Sequence, residues 1–316
     1  MKNKKKVTKR LIWTFASIFI LMNLIAIFHS YRFTHFNKKS LRTKTAEPSN
    51  LTIGQKISTL AFGISNPRPE NTVFPIMKYE TIYLNSNKKI ECWSIKSDGA
   101  KGTVVLFHGY GGNKSSMLDK AAIFNKLGYH TLLVDFMGSG GSEGNQTTIG
   151  FFEADQVRIC FDYLQKKGEQ HIYLFGTSMG AVAIMKAISD FDIRPKGLMI
   201  ECPFGSMYQT VCARFKSMNI PSFPMASLLV FWGGAQNGFW AFGHNPTSYA
   251  KKINCPVLLL YGQKDDKVSK REIDEIFTNL KGAKQLKSYP EAGHESYLKK
   301  YRNQWTIDVT TFLFEN

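Results

Sequence analysis

The chain has 316 residues, enough for one large or two small globular domains, and its 43% hydrophobic and 21% charged residues suit an ordinary packed core. That balance excludes a disordered, collagen-like, coiled-coil or multi-span membrane protein. The formal net charge of +17 suggests nucleic acid or an acidic membrane until its placement is considered: residues 1–44 hold eleven Lys and Arg and no acid, leaving 30 basic against 24 acidic residues elsewhere, so nucleic-acid binding loses its main support.

The first element in the chain reads as a membrane anchor. Lys2, Lys4, Lys5, Lys6, Lys9 and Arg10 precede residues 11–28, LIWTFASIFILMNLIAIF, which carry no charge. Eighteen residues at about 1.5 Å each come close to the ~30 Å of bilayer hydrocarbon, and the residues up to Phe33 can lengthen the span. A cleaved signal peptide has the same basic-then-apolar order. Here the run ends in Phe28, His29, Ser30 and Tyr31 with no small-x-small cleavage site, so an uncleaved signal anchor is expected over 11–30, with secretion after cleavage as the alternative. The dense positive flank, residues 1–10, is expected in the cytoplasm and the catalytic bulk of the chain on the other side, although Arg32, Lys38, Lys39, Arg42 and Lys44 reduce the asymmetry.

Residues 31–75 form a connector containing Pro48, Pro67, Pro69 and Pro75. Within it Ile57, Leu60, Ala61 and Ile64 recur at helical spacing and predict a short amphipathic helix, expected to pack on the domain rather than lie on the bilayer. From 76 to 316 one α/β domain is expected. Alternating runs near 79–84 and 90–95 predict an antiparallel pair. Continuous apolar runs at 103–107, 131–135, 171–175, 197–201 and 257–261 then predict strands buried on both faces, with helical stretches near 115–127, 151–167, 179–190 and 270–280 between them. Such alternation gives a mostly parallel sheet with helices on both faces.

Three separated motifs compose one catalytic constellation. Gly176-Thr177-Ser178-Met179-Gly180 fits G-x-S-x-G, follows the strand HIYLF and precedes the helix-like MGAVAIMKAI, the setting in which a strained turn pushes a serine hydroxyl out of the sheet. His294, in the loop EAGHE after the last strand-like run, supplies the base. Asp265 and Asp266 lie just past VLLLY, and Asp265 is expected to orient His294 while Asp266 caps the next helix or stays solvated. Backbone N–H groups of Tyr110, in the Gly-rich loop HGYGGN after TVVLF, and of Met179 are expected to form the oxyanion hole. His108 reads as a loop-fixing residue. This chemistry needs no metal or organic cofactor. Cys92, Cys160, Cys202, Cys212 and Cys255 show no C-x-x-C pair; Cys202 to Cys212 is the one bridge considered, with free buried thiols expected.

HGYGGN, the DFMGSGGSEG segment from Asp135 to Gly144, GTSMG, YGQKDDKV and EAGHE, in that order over residues 78–314, resemble the α/β-hydrolase superfamily, and within it serine aminopeptidase S33, monoacylglycerol lipase-like and BEM46-like hydrolases. The resemblance implies that fold and serine hydrolysis, with Ser178, Asp265 and His294 at the family's motif positions. It leaves the substrate open among esters, lipids and peptides.

Residues 202–264 contain no Asp or Glu, and 203–243 carry nine Phe, Tyr and Trp, among them Phe215, Phe231, Trp232 and Trp240. A short apolar cap about 203–245 over the nucleophile, suited to an acyl chain, is the expectation. The function expected is that of a membrane-anchored serine hydrolase cleaving carboxylic acyl esters through an acyl-enzyme, its substrate a small acyl ester or short peptide. A serine aminopeptidase-like peptidase is the first alternative and a non-catalytic anchored binding protein the second. The sequence does not speak to oligomeric state.

Overall fold

The computed structural model describes residues 2–37, 44–46 and 51–316. Met1, Lys38, Lys39, Arg42 and Pro48, which entered the topology and connector readings, lie outside the described residues. Helix α1, Lys2–Thr34, is unbroken, about 50 Å long at 1.5 Å per residue. Its apolar side chains are exposed from Leu11 to Leu21 apart from half-buried Ala16, whereas Ala26, Ser30 and Thr34 are buried against the domain. The helix thus outruns the expected 11–30 anchor and absorbs the start of the expected connector. Beyond it Phe36 is buried and His35 bridges to Gln146. Helix α2, Ile53–Phe62, begins at a Thr52–Gln55 capping box, as its periodicity requires, yet buries none of its residues. The expectation that it packs on the domain is not met.

The domain proper begins with the hairpin β1, Tyr79–Asn85, and β2, Lys89–Ile95. Strand β3, Thr103–Phe107, leads through α3, Leu118–Lys126, to β4, His130–Val134. Helix α4, Glu153–Lys166, precedes β5, Ile172–Thr177, and α5, Met179–Asp190, joins it to β6, Gly197–Glu201. The stretch expected to form a cap carries α6, Met207–Ser217, and α7, Met225–Asn237, followed by the single turn α8, Pro246–Tyr249. Then come β7, Val257–Gly262, α9, Lys270–Asn279, β8, Lys284–Tyr289, the short α10, Tyr297–Lys300, and α11, Arg302–Glu315.

The eight strands form one sheet in the order β1-β2-β4-β3-β5-β6-β7-β8. Pairing is antiparallel from β1 through β2 to β4 and parallel from there to β8. The apolar runs are central strands because they bury both faces. Val105 and Phe107 join one cluster with Val182 and Ile184 of α5, while Val104 and Leu106 join another with Phe124 of α3 and Trp305 of α11. Each such side chain contributes about 1.5–3 kcal/mol by leaving water.

The chain leaves β3 toward β4 on one side and later returns to β5 on the other. Strand order therefore reverses at β3, and a crevice opens past its carboxyl end, where ligands of open α/β sheets sit. Phe107 of β3 pairs with Gly176 of β5, so the loop after Phe107 and the turn after Gly176 leave the sheet side by side.

Candidate active site

The turn between β5 and α5 holds Ser178 at φ 52°, ψ −111°, a conformation that costs an L-residue about 1–3 kcal/mol and persists only where its surroundings impose it. They do so here. A Cβ at Gly176 would lie 2.6 Å from the Ala181 nitrogen, and one at Gly180 would lie 2.4 Å from the Phe107 carbonyl oxygen. Only glycine lets the turn close against β3. The Ser178 amide donates to the Glu201 carbonyl at 2.8 Å, tying the turn to the end of β6.

His294 reaches this hydroxyl from the loop after β8. Its Nε2 lies 3.0 Å from Ser178 Oγ and its Nδ1 lies 2.8 Å from Asp265 Oδ2. The other carboxylate oxygen of Asp265 accepts the amides of Lys267 at 2.8 Å and Val268 at 2.9 Å, which fixes the side chain's direction. The Asp265 side chain is wholly buried and that of His294 is 16% exposed, so the relay is screened from water except at the ring edge. Asp266 is exposed and the cap of α9 is Ser269, whose hydroxyl and Glu272 form a capping box. Of the two alternatives for Asp266, solvation is the one realised.

Burial of the His294 ring disfavours imidazolium. The Cys202 sulfur and the Asp265 carboxylate beside it favour that form more strongly, and the net effect raises the His294 pKa above the ordinary imidazole value. Of the two, the Asp265 contribution does not depend on a thiol's charge state.

The loop after β3 closes the other side. At Gly109 a Cβ would sit 3.6 Å from Ser178 Cβ, so its backbone passes close beside that serine. Among the described residues no acceptor faces the amides of Tyr110 and Met179, the two donors expected to serve an oxyanion. His108 is fully buried; its Nδ1 meets the Gly109 carbonyl at 2.8 Å and its Nε2 accepts the Phe136 amide at 3.1 Å. Burial lowers its pKa. It braces the loop, and the sequence reading of it holds. Farther along, buried Lys114 pairs with Asp135 and, at 2.6 Å, with Glu91, and its amide donates to Asp135 at 2.7 Å. That network pins HGYGGN to the DFMGSGGSEG segment.

Several neighbours escaped the sequence reading. Cys202, the residue after β6, is buried with φ 41° and places its sulfur beside His294. Cys202, Asp265 and His294 hold their ligating atoms within 4.8 Å of one another, the one such group among the described residues, and two of the three are engaged with each other and with Ser178. All five cysteines are free thiols, Cys202 and Cys212 included. Below the turn, buried Glu201 accepts from Thr177 Oγ1 at 2.9 Å and from the Trp305 indole at 2.7 Å, with Lys120 Nζ at 3.6 Å. Lys120 also donates to Ser296, two residues past His294, at 3.1 Å. An acid ending the apolar strand GLMIE was the available signal for Glu201; nothing local marked Lys120.

A strained serine at a strand–helix turn, within reach of a histidine that is itself paired with a buried carboxylate, is the arrangement a nucleophilic hydrolase on an open α/β sheet requires. The family described as Serine aminopeptidase, S33, matches residues 98–231, and the Dienelactone hydrolase family matches residues 219–308. The chain belongs to the α/β-hydrolase superfamily as a serine hydrolase. It is 25% identical over 228 residues to the uncharacterized protein YqkD of Bacillus subtilis, covering 71% of this chain and 75% of that one. It is 24% identical over 191 residues to the lysophosphatidylserine lipase ABHD12 of Gallus gallus, covering 58% of this chain and 49% of that one, so it spans about half the length of this relative. Among solved structures the esterase Pf2001 of Pyrococcus furiosus superposes with a TM-score of 0.64 at 21% identity, covering 79% of this chain and 98% of that one. The esterase EaEST of Exiguobacterium antarcticum does so with a TM-score of 0.57 at 19% identity, covering 74% and 99%. These two likenesses establish the fold.

Proposed function

We propose that this protein is a membrane-anchored serine esterase that cleaves carboxylic esters of acyl chains. The observation that carries the reading is the position of His294, 3.0 Å from Ser178 Oγ and 2.8 Å from Asp265. In the mechanism, Ser178 Oγ attacks the acyl carbon as His294 Nε2 takes its proton, and Asp265 holds the imidazole in the accepting tautomer and steadies the imidazolium. The amides of Tyr110 and Met179 receive the oxyanion. The carbon–oxygen bond to the alcohol breaks as His294 returns the proton to it. Water then attacks acyl-Ser178, giving its proton to His294, and the acid leaves as Ser178 recovers its hydrogen.

The acyl preference is supported by the acid-free stretch 202–264 and by the lipase and esterase names among the relatives. Anchoring is supported by α1, whose exposed apolar stretch is long enough to cross a bilayer with the catalytic domain on the non-cytoplasmic side. The aminopeptidase description favours a second reading, short-peptide hydrolysis. That reaction needs an anion to hold the substrate amine, and residues 202–264 offer none. Purified full-length protein should hydrolyse p-nitrophenyl acyl esters, leave aminoacyl p-nitroanilides untouched and lose the ester activity in Ser178→Ala. Faster turnover of the anilides would reverse the assignment.

A further inference from the structure

Helix α1 is more than a tether, because the cap is built along it. Asn23 Oδ1 accepts from the Trp232 indole at 2.9 Å, the Ile27 carbonyl accepts from Gln236 at 2.9 Å, and Ser30 Oγ donates to Gln236 Oε1 at 3.1 Å. From Asn23 to Ile27 and from Trp232 to Gln236 both partners advance by four residues, so α1 and α7 run side by side in the same direction. The first residues of α7 therefore point back along α1 toward its exposed apolar run. Gly233 faces Ser30, a Cβ on the glycine lying 3.7 Å from Ser30 Cβ, and Met225, eight residues or about 12 Å earlier along α7, comes level with Met22. Burial on α1 begins at that level: Met22 and Asn23 are half-buried, while the residues from Lys4 to Leu21 are exposed apart from Ala16.

The face of α7 turned away from the domain carries Leu228, Phe231 and Ala235 at helical spacing; Phe231 is 43% exposed and the whole helix has no charge. On another side of α1, α2 is held where the Leu60 carbonyl meets His29 Nε2 at 3.0 Å and Gly63 abuts Phe28 and Arg32. Its stripe of Ile53, Ile57 and Leu60 is 79%, 62% and 58% exposed. Two apolar, uncharged stripes thus flank the helix that the functional reading places in a bilayer. Exposed apolar surface of this extent beside a span marks a contact with lipid or protein.

We infer that the leaflet adjoining the catalytic domain covers both stripes, with the cap helix α7 lying within it, so that the catalytic crevice opens at the edge of the hydrocarbon and takes its acyl substrate directly from the bilayer. The commitment to lipid follows from continuity: α7 lies against the very turns of α1 that the bilayer must surround. This inference rests on the esterase reading and on α1 as a span.

The test uses full-length protein reconstituted in phosphatidylcholine vesicles, with p-nitrophenyl palmitate dissolved in the bilayer and p-nitrophenyl acetate in the water. Ile57 and Phe231 lie outside the catalytic machinery, and a carboxylate at either position opposes burial in lipid. Ile57→Glu and Phe231→Glu should each lower palmitate hydrolysis by on the order of tenfold while acetate hydrolysis stays within about twofold of the parent, which also shows the variants to be folded. Unchanged palmitate rates would overturn the inference. So would unchanged palmitate rates together with loss of self-association in detergent, which would assign the stripes to a second copy of the chain. Failure of the parent protein to turn over the acetate would instead count against the esterase reading itself.

Discussion

The Tyr110 hydroxyl donates a 2.7 Å hydrogen bond to the carbonyl of Phe33, and the two rings stack with centroids 4.6 Å apart. The last turn of α1 thereby grips the residue whose backbone amide is proposed to serve the oxyanion. Asn66 adds a 2.8 Å hydrogen bond to the same hydroxyl.

Tyr110→Pro removes the amide donor and should cost about 10²- to 10³-fold in kcat. Tyr110→Ala keeps the donor but empties the space beside Phe33, so it should lower the melting temperature while costing under about tenfold in turnover; truncating a buried aromatic costs up to about 3–5 kcal/mol. Turnover and melting measured on both variants decide this. Equal losses of turnover would mean that the side chain, and not the amide, serves the reaction.

Asp265→Asn should lower kcat by as much as ~10⁴-fold, because the imidazole loses the group that fixes its tautomer. Asp266→Asn should change it by no more than a small factor, since that carboxylate is exposed. A folded Asp265→Asn enzyme with near-parental turnover, or a folded but crippled Asp266→Asn, would reverse the assignment.

The pH dependence follows from His294. The base must be neutral to accept the Ser178 proton, and the raised folded-state pKa keeps the ring protonated at pH values where a free imidazole has already lost its proton. The acid limb of kcat/KM should therefore have its midpoint above 6.5, with activity rising as pH increases through it. Cys202→Ala separates the contributors: if Asp265 dominates, the midpoint stays above 6.5. A midpoint at or below 6.5 in the parent enzyme would contradict the account of the site's electrostatics.

Much of this arrangement is local chemistry and was legible in the chain. The strands TVVLF, GLMIE and VLLLY announce themselves by burial on both faces, and Ser178 by glycines that nothing else could replace at Gly176 and Gly180. The geometry brings Ser178, Asp265 and His294 together although His294 lies 116 residues past the serine, because each follows a strand of the same sheet. What stayed hidden are pairings with no local signature. Phe33 and Tyr110 are 77 residues apart, and Lys120 and Ser296 are 176 apart. The periodicity of α1 reads as a uniform anchor since apolar residues suit lipid and a cap equally well; only tertiary packing distinguishes Ala26 and Ser30 from Leu24 and Ile25. The same ambiguity misled the reading of α2, whose stripe suits a domain surface or a bilayer.

Removal of α1 separates the proposed span from the packing of its last turns on the domain. Deleting residues 2–18 takes away apolar length but keeps the contacts of Asn23, Ile27, Ser30 and Phe33. Deleting residues 2–36 removes those contacts as well. In detergent the shorter deletion should melt close to the full-length protein, whereas the longer should melt several degrees lower and lose most ester turnover. Equal melting temperatures would show that the end of α1 contributes nothing to the domain.

The central claim is that Ser178 is the nucleophile, and the most direct measurement is the mass of the enzyme after reaction with a fluorophosphonate. One adduct per chain is expected, on the peptide containing Ser178, and none in Ser178→Ala or in protein unfolded beforehand. An adduct on another residue, or labelling that persists in Ser178→Ala, would contradict it.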